Sequence, residues 1–189
     1  MKKRELRKKY KNLRLCLEEE EIGRLSLDIA NNLLQLPIWN FDFYHLFLTI
    51  SEQKEVDTEA VLHILLGKDK NVVISKTNME SLHLTNYLLT DNTMIRKNRW
   101  NIPEPVDGIE ISAQQIDVVF VPLLAFDESG QRIGYGKGVY DNFLANCRSD
   151  IIKVGLSFYD AEAKISESFK SDIHLYYYVT QTKTYPFEK

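Results

Sequence analysis

The stretch DESGQRIGYGKGVYDNF, residues 127–143, concentrates residue types that can hold a phosphate group. Gly134, Gly136 and Gly138 stand at every second position around Lys137, and Asp141 follows four residues after the lysine. Glycines allow positive φ and leave backbone N–H groups open to an anion, and a helix beginning just beyond them adds partial positive charge. Lys137 and Arg132 would supply formal charge. If residues 137 and 141 are both helical they share a face, which would let the Asp141 carboxylate hold Mg²⁺ beside the phosphates. The spacing is neither that of the P-loop nor that of the dinucleotide fingerprint. On glycine count alone, a tight turn with a solvated lysine and an early-helix aspartate fits as well.

Position along the chain favours the phosphate reading. Directly upstream, IDVVFVPLLAF is the most apolar run of the sequence and has the pattern of a strand buried on both faces. GVYDNFLANCR, downstream, has the pattern of a helix. A glycine segment joining such a strand to a helix sits where open α/β sheets bind ligands, in the crevice beyond the strands' carboxyl ends. The remaining elements agree with that class. Residues 2–36 are helical in character, with Gly23 expected to separate or bend two helices. FYHLFLTIS, NVVIS, IIKVGLSF and HLYYYVT read as strands, and DTEAVLHILLG as a helix capped by Asp57 or Thr58 and ended by Gly67. SLHLTNYLL alternates weakly. RWNIPEPVDG, with prolines at 103 and 105, reads as an ordered loop whose Trp100 is a candidate site wall. Strands alternating with helices predict an α/β domain around a mainly parallel sheet.

The 189 residues suit one domain, with the N-terminal helices packing on an α/β core over 41–182. A formal charge of −3 provides no global field for a nucleic-acid backbone, so any basic site is local. No apolar run reaches the roughly 18 residues that span a bilayer, and KKRELRKKYKNLR at the start lacks the apolar centre of a signal peptide. A monomer in the cytoplasm is the default expectation. Cys16 and Cys147 are expected to be reduced and partly buried. The four histidines, at 45, 63, 83 and 174, show no metal-binding spacing and receive no role. Glu55, after the first strand, could accept donors from a ring system, although a loop carboxylate is usually just exposed.

KRELR near the N-terminus, EVDTE after the first strand, WNIPEP, and DVVFVPLLAFDESGQRIGYGKGVYDNFL occur in that order. Together they resemble the 5-formyltetrahydrofolate cyclo-ligase (methenyltetrahydrofolate synthetase) family over nearly the whole chain. The resemblance implies a three-layer α/β/α sandwich and an enzyme that uses ATP and Mg²⁺ to convert 5-formyltetrahydrofolate to 5,10-methenyltetrahydrofolate. It also implies roles for individual residues. Lys3, Arg4, Arg7 and the loop Arg132, Gly134, Tyr135, Gly136, Lys137, Gly138, Val139 and Tyr140 would meet ATP, with Lys137 and Arg132 catalytic. Ile50, Glu55, Trp100, Glu104 and Tyr140 would form the folate pocket. Asp141 and Asp172 would hold the metal. Three positions depart from the family pattern: Tyr135 where arginine is common, Val139 where an aromatic is common, and Tyr176 where a second acidic residue usually closes the motif that here reads Ser171-Asp172-Ile173-His174-Leu175-Tyr176. Two other readings remain open at this point, a non-catalytic folate- or nucleotide-binding regulator and an ATP-dependent enzyme acting on another small substrate.

Overall fold

A computed structural model describes residues 2–167 and 172–187. Its centre is a seven-stranded sheet built from β1 (Phe43–His45), β2 (Asn71–Asn78), β3 (His83–Leu88), β6 (Val118–Pro122), β9 (Ile152–Leu156), β10 (Tyr177–Val179) and β11 (Thr184–Pro186). The order across the sheet is β11-β10-β9-β6-β1-β2-β3. The five inner strands run parallel, and β3 and β11 close the two edges antiparallel. Two hairpins stand outside the sheet, β4 (Ile95–Lys97) with β5 (Pro103–Pro105) and β7 (Ala125–Phe126) with β8 (Arg132–Ile133).

Alternation along the strands divides the core in two. Tyr44, Val72, Ile74, Val118 and Phe120 face helices α2 (Glu19–Leu33) and α3 (Glu59–Gly67), and pack with Ile29, Leu33, Val61 and Leu65. Val73, Val119 and Val121 point the other way, against Phe143 and Leu144 of α4 (Val139–Ala145). A strand covered on both faces by helices must be apolar at nearly every position, which is why residues 118–121 form an unbroken hydrophobic run. The architecture is the expected α/β/α sandwich. Helix α1 (Lys3–Leu15) takes no part in these layers. Its Leu6 and Tyr10 pack on Leu124, Ala125 and Ile133 of the β7–β8 hairpin, so the first helix is docked beside the glycine segment.

Several local expectations change. The break between the first two helices falls at residues 16–18, and Gly23 lies inside α2, where a Cβ would meet no neighbour. The WNIPEP segment is partly strand. Pro103 and Pro105 sit on β5 of a two-stranded ribbon, where a missing N–H is tolerated at an edge. The buried strand does not run directly into the glycine segment, because the β7–β8 hairpin intervenes. Fully buried Asp127 builds its turn, with Oδ1 accepting from Ser129 N–H, Ser129 O–H and Gln131 N–H while Oδ2 accepts from Ile165 N–H. Cys16 is exposed and Cys147 buried, both reduced. Among the described residues, no helix is long and apolar enough to cross a membrane.

Chain direction fixes where a crevice opens. After β1 the chain crosses to β2 on one side, and after β6 it crosses to β9 on the other, so the adjacent strands β1 and β6 form the topological switch point of the sheet.

Candidate active site

A cavity of about 620 Å³ opens at that switch point. His45 and Pro122, the last residues of β1 and β6, lie at its floor, Ser75 and Thr77 of β2 form one side, and Trp100, at the turn of the β4–β5 hairpin, forms a wall. Lys3, Arg7 and Lys11 enter from α1 at helical spacing. Most of the residues singled out in the sequence line this one cavity: Lys3, Arg7, Ile50, Glu55, Trp100, Arg132, Gly134, Tyr135, Gly136, Lys137, Gly138, Val139, Tyr140, Asp141 and Asp172. Two do not. Arg4 lies on the exposed side of α1, and Glu104 is buried on β5, where its Oε1 accepts from Thr77 N–H at 2.8 Å and ties the hairpin to the sheet. Ser171 lies outside the described residues.

The glycine segment has the form of an anion cradle. Gly136 and Gly138 adopt φ of 95° and 74°, values that side-chain-bearing residues rarely take. A Cβ on Gly136 would also approach Arg7 Cζ to 3.0 Å, so this glycine lets the guanidinium close on the loop, where Arg7 Nε–H donates to the Gly134 carbonyl at 3.0 Å. Among the described residues, the backbone N–H groups of 134–138 donate to no protein acceptor, and exposed Lys137 makes no hydrogen bond or ion pair. Unpaired donors beside a lysine are what a phosphate needs. Helix α4 spans only seven residues, so its dipole contributes little.

Lys137 and Asp141 do not share a helical face, because Gly138 caps α4 in a left-handed conformation and leaves Lys137 outside it. Asp141 instead pairs with Arg132, whose Nη2 donates to Oδ1 at 2.6 Å and whose Nη1 donates to the Ile173 carbonyl; Ile173 N–H also donates to Asp141 Oδ1, at 3.1 Å. Arg132 is thereby committed to fixing the start of α4 against the C-terminal segment. Asp172 accepts from the ammonium of buried Lys3 at 2.5 Å, joining the beginning of α1 to the same segment. The described residues contain no group of three or more His, Cys, Asp or Glu side chains placed to hold a metal ion. Two hard carboxylates facing a phosphate cradle nevertheless suit Mg²⁺, which binds through one or two carboxylates and takes its other ligands from phosphate and water. Tyr176, the departure at the end of that motif, does not line the cavity, and Lys153 Nζ lies 4.3 Å from its ring centroid.

At the other end of the cavity Glu55 is buried. Its Oε2 accepts from Ile50 N–H at 2.9 Å and its Oε1 from the Tyr135 hydroxyl at 2.5 Å. Burial raises its pKa above the ordinary carboxylate value, against the opposing pull of those hydrogen bonds and of Arg14. Burial, and then the Glu55 charge, push the Tyr135 and Tyr140 phenols well above their ordinary value, so both remain protonated donors. Trp100 presents a half-exposed ring with Arg99 Cζ 4.0 Å over its centroid, a stacked platform at the mouth.

Two features have no counterpart in the sequence reading. Arg14, 2 % exposed, donates from Nη1 to the Tyr135 hydroxyl at 2.9 Å and from Nη2 to the Leu123 carbonyl, so a residue of the basic N-terminal run is a buried cation beneath the cavity. Its signal was the helical spacing Lys3, Arg7, Arg14 beside Leu6 and Tyr10, one face of a helix that is charged where it should be apolar. His45, 1 % exposed, meets Ser75 Oγ at 2.7 Å, and Ser75 Oγ meets Asn86 Oδ1 at 2.7 Å. Burial lowers the His45 pKa to about 3 from 6.5, which makes it a neutral polar floor.

That depression has a consequence for stability. The unfolded chain takes up a proton at His45 near pH 6.5 and the folded chain only near pH 3, so the contribution is complete above pH 6.5 and is lost as the pH falls towards 3. The slope approaches about 1.4 kcal/mol per pH unit for one proton. Urea unfolding of wild type and His45→Gln from pH 7 to pH 4 should show the stability advantage of the wild type shrinking as the pH falls. A gap that stays constant across that range excludes the linkage.

Residues 1–162 match the 5-formyltetrahydrofolate cyclo-ligase family. The chain belongs to that family. The mouse 5-formyltetrahydrofolate cyclo-ligase is 30 % identical over 152 residues, covering 77 % of this chain and 74 % of the mouse protein. The Haemophilus influenzae cyclo-ligase is 28 % identical over 158 residues, with 82 % of each chain covered. Among solved structures, the 5,10-methenyltetrahydrofolate synthetase of Aquifex aeolicus superposes with a TM-score of 0.83 at 30 % identity, covering 98 % of this chain and 93 % of that one. Within this cyclo-ligase fold the Tyr135 departure is accounted for locally: its hydroxyl stands between Arg14 and Glu55.

Proposed function

We propose that this chain converts 5-formyltetrahydrofolate to 5,10-methenyltetrahydrofolate in a reaction driven by ATP with Mg²⁺. The observation that carries the reading is that one cavity joins an unpaired backbone cradle with Lys137 at one end to a buried carboxylate, Glu55, at the other. Family membership supports it.

The chemistry explains why two such ends must meet. The N5-formyl group is an amide whose oxygen cannot leave as such. Attack of that oxygen on the γ-phosphorus of ATP expels ADP and leaves an imidate-like phosphate at the formyl carbon. N10 of the same folate then attacks that carbon, the carbon–oxygen bond breaks, and inorganic phosphate departs with the proton released from N10. The protein's part is positioning and charge neutralisation, as in phosphoryl transfer generally. Glu55 accepts ring N–H groups of the pterin and fixes N5 relative to the loop, with Ile50 alongside and Trp100 and Tyr140 as ring contacts. The N–H groups of 134–138 and Lys137 neutralise the moving phosphoryl group, where preorganised donors act most strongly. Lys3 and Arg7 meet the nucleotide from α1. Asp141 and Asp172 would hold Mg²⁺, which supplies Lewis-acid neutralisation of the phosphate oxygens.

The test is direct. Purified protein with MgATP and 5-formyltetrahydrofolate should develop the near-ultraviolet absorbance of the methenyl product, and omission of either ATP or Mg²⁺ should abolish it. Folded protein that produces no absorbance change removes the reading. Stabilisation by folate without turnover would then favour a binding regulator, and ATP hydrolysis that requires another small molecule would favour a different substrate.

A further inference from the structure

Tyr135 lies between the two halves of the cavity in a way that neither half requires by itself. Its hydroxyl donates to Glu55 Oε1 at 2.5 Å and accepts from Arg14 Nη1 at 2.9 Å, and Arg14 is anchored by its other nitrogen to the Leu123 carbonyl. Its backbone belongs to the cradle, between Gly134 and Gly136. The only other hydrogen bond from a side chain to 134–138 among the described residues is that of Arg7 to the Gly134 carbonyl. The flanking glycines carry no side chains that pack, so the loop's peptide groups are set chiefly by where the Tyr135 ring is held. Each oxygen of Glu55 already has one protein donor, Tyr135 on Oε1 and Ile50 N–H on Oε2, so the carboxylate orientation depends on Tyr135 as well.

We propose that Tyr135 is a positioning residue that couples the two ends of the cavity, so that a folate on Glu55 and a nucleotide on the 134–138 cradle bind with positive cooperativity. This rests on the cyclo-ligase reading above. A phosphate on the cradle fixes the loop, hence Tyr135, hence the Glu55 carboxylate. Ring donors on Glu55 fix the same chain in reverse. Whichever ligand binds first restricts the residual motion of the shared residue, and the second meets a site already restricted. Linkage requires the two ligands to change each other's affinity by the same factor. Because the Tyr135 hydroxyl remains a donor, substitution by phenylalanine removes the link while keeping the ring in place.

The experiment uses the full chain, 5-formyltetrahydrofolate, and a non-hydrolysable ATP analogue with Mg²⁺. Calorimetry gives the Kd of each ligand alone and in the presence of the other. Wild type should show a mutual tightening of about 5-fold or more, equal in both directions. In Tyr135→Phe the ratio should fall to about 1, whereas Arg24→Ala, an exposed substitution on α2 outside the cavity lining, should keep it. A wild type with no coupling, or a phenylalanine variant that retains the full ratio, overturns the proposal. Failure of the wild type to bind folate or nucleotide at all would count instead against the cyclo-ligase reading. A second measurement needs no variant. In wild type labelled at its tyrosine ring carbons, the Tyr135 NMR signal should shift on addition of 5-formyltetrahydrofolate alone and also on addition of the nucleotide analogue alone, and a signal indifferent to the nucleotide would overturn the coupling even if the phenylalanine variant failed to fold.

Discussion

Lys137→Ala should lower turnover by about 10²- to 10³-fold, the range for removing one preorganised charge donor from a transition state. Its melting temperature should remain within about 2 °C of wild type. The two halves of this expectation have the same structural origin. Lys137 is exposed, lies outside α4, and makes no hydrogen bond or ion pair among the described residues, so folding gains almost nothing from it. The neighbouring cations are already engaged: Arg132 with Asp141, Lys3 with Asp172, Arg7 with the Gly134 carbonyl and Arg14 with Tyr135. On the function proposed above, Lys137 keeps its charge available for a phosphate at the cradle. Initial rates at saturating MgATP, read beside a thermal melt, check both halves. Near-normal turnover would remove Lys137 from the mechanism, and a large loss of stability would show that its role is structural.

Glu55→Gln should separate binding from folding in a different way. The glutamine keeps the shape and an acceptor for Tyr135 or Ile50 but loses the charge. A hydrogen bond to a charged group contributes about 1.5–3 kcal/mol, so the KM for folate should rise by roughly 10- to 100-fold, with a much smaller effect on the KM for ATP. Folding should suffer little. Burial already disfavours the ionised carboxylate, so glutamine removes a group whose charge the fold carries at a cost, and this offsets the lost compensation of Arg14. The sign can be checked by pH. Because the folded-state pKa is raised, the stability associated with Glu55 is complete below its unfolded value of 4.5 and is lost as the pH rises through the folded value. If Glu55 accepts the ring N–H groups as proposed, the ionised form is the competent one for catalysis. The acid limb of kcat/KM for folate should therefore sit above the ordinary carboxylate range in wild type, and should disappear in the glutamine variant. An unchanged KM for folate would exclude Glu55 from recognition of the ring.

Much of this was legible in the sequence because it was local. An uninterrupted apolar run at 118–121 can be satisfied only by a strand covered on both faces, and glycines at 136 and 138 mark backbone that other residues avoid. What escaped was contact between distant residues. Arg14 reaches Tyr135 across 121 positions, and Lys3 reaches Asp172 across 169. Neither partner could be chosen from spacing, and the resemblance assigned the basic N-terminal run only three nucleotide contacts, at Lys3, Arg4 and Arg7. His45 was dismissed for lack of a metal pattern, and its role as a neutral floor depends on Ser75 of the neighbouring strand. The hairpins β4–β5 and β7–β8 were missed for a different reason. Strands of two or three residues have no period to detect, and two prolines argued against any strand at 103–105. Glu104 illustrates the limit of carrying a role across a family, since here its carboxylate is used to hold that hairpin.

If the formyl oxygen attacks the γ-phosphorus in this cavity, that oxygen must leave with the phosphate, and isotope transfer reads out where it goes. 5-Formyltetrahydrofolate carrying oxygen-18 in its formyl group is turned over with unlabelled MgATP, and the phosphate is examined by mass spectrometry. The mechanism predicts one labelled oxygen in each inorganic phosphate released and none in ADP. Methenyl product formed together with unlabelled phosphate would contradict it.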